Sequence, residues 1–179
     1  MGEIKNPLPE KLIIAFIYKE DEIYEKAKNI LLHKFGPADF ESQKIRFIWT
    51  DYYNKEIGQD LFRRFIGFEK LIDPGRLSSI KITTNEAEQQ FLYENTNKRR
   101  INIDPGILSL SKFVLATTKN YSHRIYIGDG IFAEVTLKYE NKGFVAFSWT
   151  YPDYATQEYR QIFERLREIY KEQINSFII

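Results

Sequence analysis

Two turn sequences in the second half of the chain, Gly128-Asp129-Gly130 and Asn141-Lys142-Gly143, most constrain what this sequence can fold into. Both are rich in residues that tolerate positive φ, which tight β-hairpins require. They separate runs of β-branched and aromatic residues that are typical of strands. The sequence therefore predicts antiparallel strands at residues 112–116, 123–127, 131–139 and 144–150.

The first half of the chain alternates strand and helix signals. A continuous apolar run at residues 12–18 has the length of a buried strand. Residues 21–35 repeat apolar side chains at three- and four-residue spacing and end at Gly36-Pro37, which predicts a helix. Two further strands are predicted at residues 45–50 and 61–68.

The middle of the chain is interpreted as turn, strand and helix. Asp73-Pro74-Gly75 predicts a turn, and the clean alternation at residues 80–83 predicts a strand. Asn85, followed by Glu88 three residues later, resembles a capping box. We therefore expect a helix from Asn85 to about residue 97.

The remaining elements complete the predicted fold. Residues 101–103 resemble a short strand, Asp104-Pro105-Gly106 resembles a turn, and residues 156–176 carry a helical apolar stripe. Because no Pro-, Gly- or Ser-rich linker interrupts this order, residues 1–179 are expected to form a single α+β domain. The prediction is a largely antiparallel sheet packed by about three helices, with a ferredoxin-like first half.

Composition excludes several kinds of chemistry. The 179 residues include no cysteine and two histidines, which excludes disulfides, thiolate zinc sites, iron–sulfur clusters and thiol nucleophiles. No metal site is predicted, although carboxylates alone could hold magnesium. The apolar runs are too short for a membrane span or a signal peptide, so we expect a soluble, cytoplasmic protein without a membrane partner.

Charge is balanced over the whole chain but not within it. The net charge is +1, yet residues 98–124 carry six cations and one anion, Asp104. Clustered Lys and Arg attract phosphate-bearing ligands. The same six cations also suit an ordinary solvated surface if they point in different directions.

The polar run at residues 116–127 is the strongest candidate site. Hydroxyl, amide and cationic side chains are what a phosphate group binds, and this run offers Thr117, Thr118, Lys119, Asn120, Ser122 and Arg124. His123 has the chemistry of an acid or base near neutral pH. The alternative is a polar connection whose side chains bond their own backbone.

Two carboxylates are candidate partners for His123. Glu134 lies on the predicted strand 131–139, where it can pair with Arg124 or His123 across the hairpin. Asp153 follows the aromatic segment Trp149-Thr150-Tyr151-Pro152. We predict His123, Glu134 and Asp153 as the catalytic set if the protein is an enzyme. A structural turn is the more common role for an Asp beside a proline, as at Asp153.

Several short sequence segments resemble motifs of the prokaryotic family catalogued as domain of unknown function four-four-one-six, and the resemblance covers nearly the whole chain. It implies a small soluble prokaryotic protein but supplies no activity, cofactor or catalytic residue. The segments are Arg99-Arg100-Ile101-Asn102-Ile103-Asp104-Pro105-Gly106, Ala116-Thr117-Thr118-Lys119-Asn120-Tyr121-Ser122-His123-Arg124-Ile125-Tyr126, Ala133-Glu134-Val135-Thr136-Leu137 and Trp149-Thr150-Tyr151-Pro152-Asp153-Tyr154, with Asp51-Tyr52-Tyr53 and Phe68-Glu69-Lys70-Leu71-Ile72 before them.

Three hypotheses for function follow from the sequence. The first is a module that binds a phosphate-bearing ligand, a nucleotide or RNA, with nearby aromatic rings for stacking. The second is a hydrolase or transferase acting on a phosphorylated substrate, with His123 as acid or base. The third is a non-catalytic protein-interaction subunit. The sequence identifies neither a cofactor nor an oligomeric state.

Overall fold

The structure, a computed structural model, describes the backbone of residues 2–178 and the side chains of residues 2–175. Within these residues the chain forms nine strands, three α-helices and one short 3-10 helix. The strands are β1 (Glu10–Tyr18), β2 (Ala38–Glu41), β3 (Ile45–Phe47), β4 (Leu61–Ile72), β5 (Ile101–Leu108), β6 (Lys112–Thr117), β7 (Ile125–Gly128), β8 (Ile131–Glu140) and β9 (Gly143–Ala146). The helices are α1 (Asp21–Phe35), α2 (Leu77–Gln89) and α3 (Gln157–Ile178), and the 3-10 helix is Pro74–Arg76.

All strands belong to one antiparallel sheet in the order β2-β4-β1-β5-β6-β8-β7, with β3 beside β4 and β9 beside β8. The succession β1-α1-β2-β4-α2-β5 with β1 between β4 and β5 is the ferredoxin-like arrangement. The predicted α+β class, the largely antiparallel sheet, the three helices and the ferredoxin-like first half are confirmed.

Helices cover both faces of the central strands. Leu12, Ile14 and Phe16 of β1 pack with α1 and α2 on one face. Ile13 and Ala15 pack with α3 on the other face. A strand buried on both faces is apolar at every position rather than at alternate ones, which explains the unbroken apolar run in β1.

The two hairpin turns form as predicted. Asp129 has φ of 54° and Asn141 has φ of 51°, and their turns join β7 to β8 and β8 to β9. Strands 3, 7 and 9 are shorter than predicted: β3 ends at Phe47, β7 begins at Ile125 and β9 ends at Ala146. The edge strand β2 was not predicted.

The predicted strand at 80–83 and the predicted N-cap at Asn85 are wrong. Both lie inside α2, which follows directly on the 3-10 helix. The buried positions of α2 recur at helical spacing, but Lys81 and Glu88 are among them. These two charged residues obscure the apolar stripe by which a helix is recognised, and tertiary burial outweighs the local β preference of Ile80 and Ile82.

The predicted turn at Asp104-Pro105-Gly106 is also wrong, because these residues continue β5. Asp104, Pro105 and Gly106 pair in unbroken register with Ala15, Ile14 and Ile13 of β1. Since α2 spans Leu77–Gln89, the helix predicted from Asn85 to about residue 97 both begins and ends earlier. Across residues 2–178 no helix is long and apolar enough to cross a membrane.

Candidate functional site

The sheet splits between β5 and β6. These strands share only three residue pairs, Gly106–Leu115, Ile107–Val114 and Leu108–Phe113. Beyond these three pairs the two strands diverge, while β5 remains paired with β1 and β6 remains paired with β8. Pro105, the residue before the last pair, has no N–H with which to continue a ladder.

A cleft of about 690 Å³ occupies this split, and we call it the site cleft. It lies between α2, the diverging ends of β5 and β6, and two chain segments at residues 47–53 and 151–154. Sites for small molecules usually have volumes of about 300–1,000 Å³. The site cleft is therefore large enough for a small organic ligand.

Arg63 is the most unusual residue of the site cleft. It lies on β4 opposite Ile17 of β1, and its side chain is 4% exposed. Its Nη2 donates to Asp153 Oδ2 at 2.7 Å, whereas its Nε and Nη1 are buried and have no hydrogen-bond partner among the described residues. A buried donor without a partner is destabilising by about 1–3 kcal/mol. Such a group needs an explanation beyond packing.

Aromatic rings surround the Arg63 guanidinium. Its Cζ lies 5.1 Å from the ring centre of Phe47, 5.7 Å from that of Phe65 and 5.5 Å from that of Tyr154. The hydroxyl of Tyr154 is buried without a partner as well. Burial raises the pKa of the Tyr154 phenol well above its usual value, so this group stays a neutral donor.

Asp153, predicted as a catalytic carboxylate, is the ion-pair partner of Arg63. Its side chain is as buried as that of Arg63, and no hydrogen bond joins it to His123. Asp153 therefore balances the charge of Arg63 but leaves two of the guanidinium nitrogens unpaired.

Two other cations of the site cleft are paired with carboxylates. Lys81 Nζ donates to Ile103 O and to Asp104 Oδ1, each at 3.0 Å. Burial raises the pKa of the Asp104 carboxyl, but Lys81 and the nearby Arg63 more than offset this and hold the pKa below its usual value. Arg99 donates to both oxygens of Glu56, at 2.6 and 2.8 Å, and to Glu88 Oε2 at 2.7 Å. Arg99 and Lys81 therefore stabilise the walls of the cleft.

The structure brings Glu134, His123 and Arg124 together. Glu134 is buried on β8, and its Oε2 accepts from Arg124 Nε at 2.8 Å and lies 3.1 Å from His123 Nε2. The His123 ring also stacks on Trp149, with centroids 5.4 Å apart. Glu134 lines the site cleft, but His123 and Arg124 do not. His123 is thus held away from the space that a ligand would fill.

The predicted ligand-binding segment divides into two parts. Thr117, Thr118 and Lys119 line the site cleft, whereas Asn120 and Ser122 do not. Lys119 Nζ donates to Tyr52 Oη at 2.7 Å and joins two rims of the cleft.

Arg124, the remaining predicted ligand, has three protein partners. In addition to Glu134 it donates to Lys119 O at 3.1 Å and to Tyr151 Oη at 2.8 Å. It therefore holds the segment of Tyr151 against β8 and positions the rim rather than facing the cleft.

Sequence reasoning did not find Arg63 or the α2 residues of the site cleft. One signal was present: period two places Leu61, Arg63 and Phe65 on one face of β4, and a cation between two apolar neighbours on a buried face is unusual. Asn85 was found but assigned to a cap. Among the residues that the structure describes, no cluster of His, Asp and Glu is arranged to hold a metal ion.

Comparison with known proteins gave one match. The family model described as "Domain of unknown function (DUF4416)" matches residues 8–170, which is most of the chain. Neither the curated proteins nor the solved structures contain a significant match.

Proposed function

Because the chain belongs to the DUF4416 family, whose description assigns no function, we propose from its geometry that the site cleft binds a small organic phosphate about the size of a mononucleotide. The observation that carries the proposal is the buried Arg63 guanidinium: Arg63 lines the cleft, and two of its nitrogens have no hydrogen-bond partner among the described residues. An oxyanion placed there would accept from Arg63 and from Tyr154 Oη. Charge-assisted hydrogen bonds of this kind are among the strongest in proteins.

The charge of the site cleft favours a small ligand over RNA. Lys81 and Arg99 are neutralised by Asp104, Glu56 and Glu88. Glu134 and Asp153 also line the cleft. A polyanion binds most strongly to an open face of unpaired cations, which this cleft does not offer, whereas the two unpaired nitrogens of Arg63 can hydrogen-bond a single oxyanion.

The rim of the site cleft suits a planar ligand. Trp49, Tyr52 and Tyr151 are exposed at its mouth. Exposed rings of this kind stack with heterocyclic bases. Thr117, Thr118 and Lys119 add hydroxyl groups and one cation at the same mouth, so part of the predicted 117–124 segment takes part in the proposed site.

The geometry supports binding more than acid–base catalysis by His123. His123 is committed to Glu134 and Trp149 and does not line the site cleft. A general acid or base must come within hydrogen-bond reach of its substrate. The proposed role of His123 is therefore to position Glu134.

The test is titration calorimetry with inorganic phosphate, ribose 5-phosphate, nucleoside monophosphates and a short single-stranded RNA. We expect Arg63→Met to weaken binding of the small phosphates roughly 10- to 100-fold, because a charge-assisted hydrogen bond contributes about 1.5–3 kcal/mol. Arg46→Met is the matched control, since Arg46 is exposed on β3 and pairs only with Asp60.

Three outcomes would contradict the proposal. They are the absence of binding of any small phosphate to the wild-type protein, equal affinity in Arg63→Met, and tighter binding of the RNA than of every mononucleotide. Circular dichroism and the thermal midpoint of Arg63→Met show whether a loss of binding comes from loss of the fold.

A further inference from the structure

Asn85 occupies a position that the fold does not explain. It lies in the interior of α2, four residues before the last residue of that helix. Asparagine is unfavourable there, because its short amide competes for backbone hydrogen bonds. Within the described part of the chain its side chain neither caps the helix nor forms a hydrogen bond, and it faces the site cleft.

The other polar residues on this face of α2 are mostly committed to the protein. Lys81 binds Ile103 O and Asp104, and Glu88 accepts from Arg99 and from the backbone N–H of Ile103. Gln89, one turn after Asn85, lines the site cleft, and its amide forms no hydrogen bond to a described residue. Asn85 is half-buried and Gln89 is exposed, so the helix presents one carboxamide inside the cleft and a second at its edge.

These carboxamides lie apart from the Arg63 end of the site cleft. Arg63 lies on β4, on the face of the sheet that α3 covers, next to Phe65 and Tyr154. The helix α2 covers the opposite face and packs on β5, two strand spacings away on the other side of β1. Two strand spacings alone are roughly 10 Å, so the two ends are at least that far apart. A single inorganic anion is too small to contact both ends, so a ligand that uses both must carry its anion at one end and an uncharged polar group at the other.

The chemistry of a carboxamide indicates what that uncharged end is. Each amide offers a donor and an acceptor side by side. Neutral heterocycles such as nucleobases carry the complementary pattern on their edges, and Asn and Gln bind adenine in this way in nucleic-acid complexes. The exposed rings of Trp49 and Tyr151 on the rim supply stacking surfaces for the same group.

We infer that Asn85, together with Gln89, is a specificity-determining residue that selects a nucleoside phosphate over a sugar phosphate by hydrogen-bonding the edge of the base. This inference rests on the proposed function, because it assumes that the phosphate group lies at Arg63. A site built to hydrogen-bond a ligand strongly rejects the analogue that lacks the matching groups.

The experiment compares ribose 5-phosphate with AMP, GMP, CMP and UMP by titration calorimetry, since the five compounds share a phosphorylated ribose and only four have a base. We expect the wild-type protein to bind at least one mononucleotide 10-fold or more tightly than ribose 5-phosphate. Asn85→Ala should reduce this preference roughly 10-fold, as expected for one or two hydrogen bonds. It should leave the affinity for ribose 5-phosphate unchanged.

Gln90→Ala is the matched control, because Gln90 is the exposed neighbour of Gln89 and does not line the site cleft. It should keep the wild-type preference. Asn85→Ala should also keep or raise the thermal midpoint, since alanine is the better helix former. A lower midpoint would indicate a structural role for Asn85 and overturn the inference.

The failures of the two proposals are distinguishable. If ribose 5-phosphate and the mononucleotides bind equally well, or if Asn85→Ala weakens all of them equally, the inference is wrong while the phosphate site at Arg63 stands. If Arg63→Met binds every compound as the wild type does, the proposed function is wrong, and the inference is wrong with it.

Discussion

Two buried cations, Lys11 and Arg63, lie near opposite ends of the central strand β1. Lys11 is near the start of β1, and its side chain has no exposed surface. Its Nζ donates to both oxygens of Asp39, at 2.8 and 2.6 Å, to Phe68 O at 2.9 Å and to Gln173 Oε1 at 3.0 Å. Arg63 pairs with Ile17 near the other end, and only one of its three guanidinium nitrogens has a partner.

The difference separates a residue that maintains the fold from one that is available to a ligand. The ammonium of Lys11 has three N–H groups and enough protein acceptors for all of them. Burial lowers the pKa of Lys11, and Asp39 opposes the shift. Arg63 is nearly as buried, lines a cleft and has two nitrogens without a partner among the described residues. Comparable burial therefore does not imply a comparable role.

The largest effect is expected from Lys11→Met. This change removes the cation that pairs with Asp39 and the donor to Phe68 O. Removing one partner of a buried ion pair usually destabilises by 3–5 kcal/mol, and because Asp39 is partly exposed we expect the low end, about 3 kcal/mol. Urea unfolding measures it, with Lys70→Met, an exposed lysine on β4, as the control. A loss below about 1 kcal/mol would contradict the role of Lys11 as a residue that maintains the fold.

The second prediction concerns alkaline pH near Arg63. Burial raises the pKa of Tyr159 to about 12, and Asp153 adds to the shift while Arg63 opposes it. The unfolded chain loses this proton near pH 10 and the folded protein near pH 12, so stability falls as pH rises across that window. In Tyr159→Phe the fall from pH 10 to pH 12 should be smaller by on the order of 1 to 2 kcal/mol. Equal falls in urea titrations would contradict the raised pKa.

The third prediction removes both members of each ion pair. Arg63→Met with Asp153→Leu should stay within about 1 kcal/mol of the wild type, because it also removes the unpaired donors and apolar replacement of a buried ion pair is often neutral. Lys11→Met with Asp39→Asn should remain destabilised by about 1–2 kcal/mol, since the carbonyl of Phe68 loses the buried donor that Lys11 supplies. The measurement is urea unfolding at neutral pH. Equal stabilities for the two double variants would contradict the claim that Lys11 stabilises the fold more than Arg63 does.

The smallest effect is expected from two tyrosines of α3. Tyr170 Oη donates to Pro9 O at 2.9 Å, near the Lys11 end, whereas Tyr159 Oη, near Arg63, is buried without a partner. At pH 7 we expect Tyr170→Phe to lose about 1 kcal/mol and Tyr159→Phe to lose less than about 0.5 kcal/mol. The thermal midpoints of the two variants measure this difference, and the reverse order would contradict it.

The sequence predicted elements whose signal is local. The helix α1 repeats its apolar residues regularly and stops at Gly36, and the turn around Asp129 requires positive φ, so both were found. The helix α2 was missed because Lys81 and Glu88 lie on its buried face. The continuation of β5 through Pro105 was missed because the strand is identified by its pairing with β1, which is distant in sequence.

The residues of the site cleft likewise divide into those that a local sequence signal identified and those that only the tertiary fold brings to the site. Thr117, Lys119 and Glu134 lie on or beside neighbouring strands of one meander, and each was identified as a candidate from its local sequence. Arg63 and Asn85 come from other parts of the chain, and only the tertiary fold places them at the same cleft. The partner of His123 was foreseen at Glu134, but no local pattern shows whether a side chain faces into a cleft or away from it.

Gly106 sits at the last residue pair before the sheet divides. A Cβ there would lie 2.5 Å from the Phe113 ring and 2.6 Å from Val114 O, so any larger residue would push the two half-sheets apart. Only three residue pairs join β5 to β6. The part of the sheet that contains β1, β4 and β5 is therefore connected to the part that contains β6, β7 and β8 by a short ladder, and the site cleft lies where that ladder ends. A ligand that contacts both parts of the sheet would add a second connection between them. Tighter binding should therefore be accompanied by slower amide hydrogen exchange in β5 and β6.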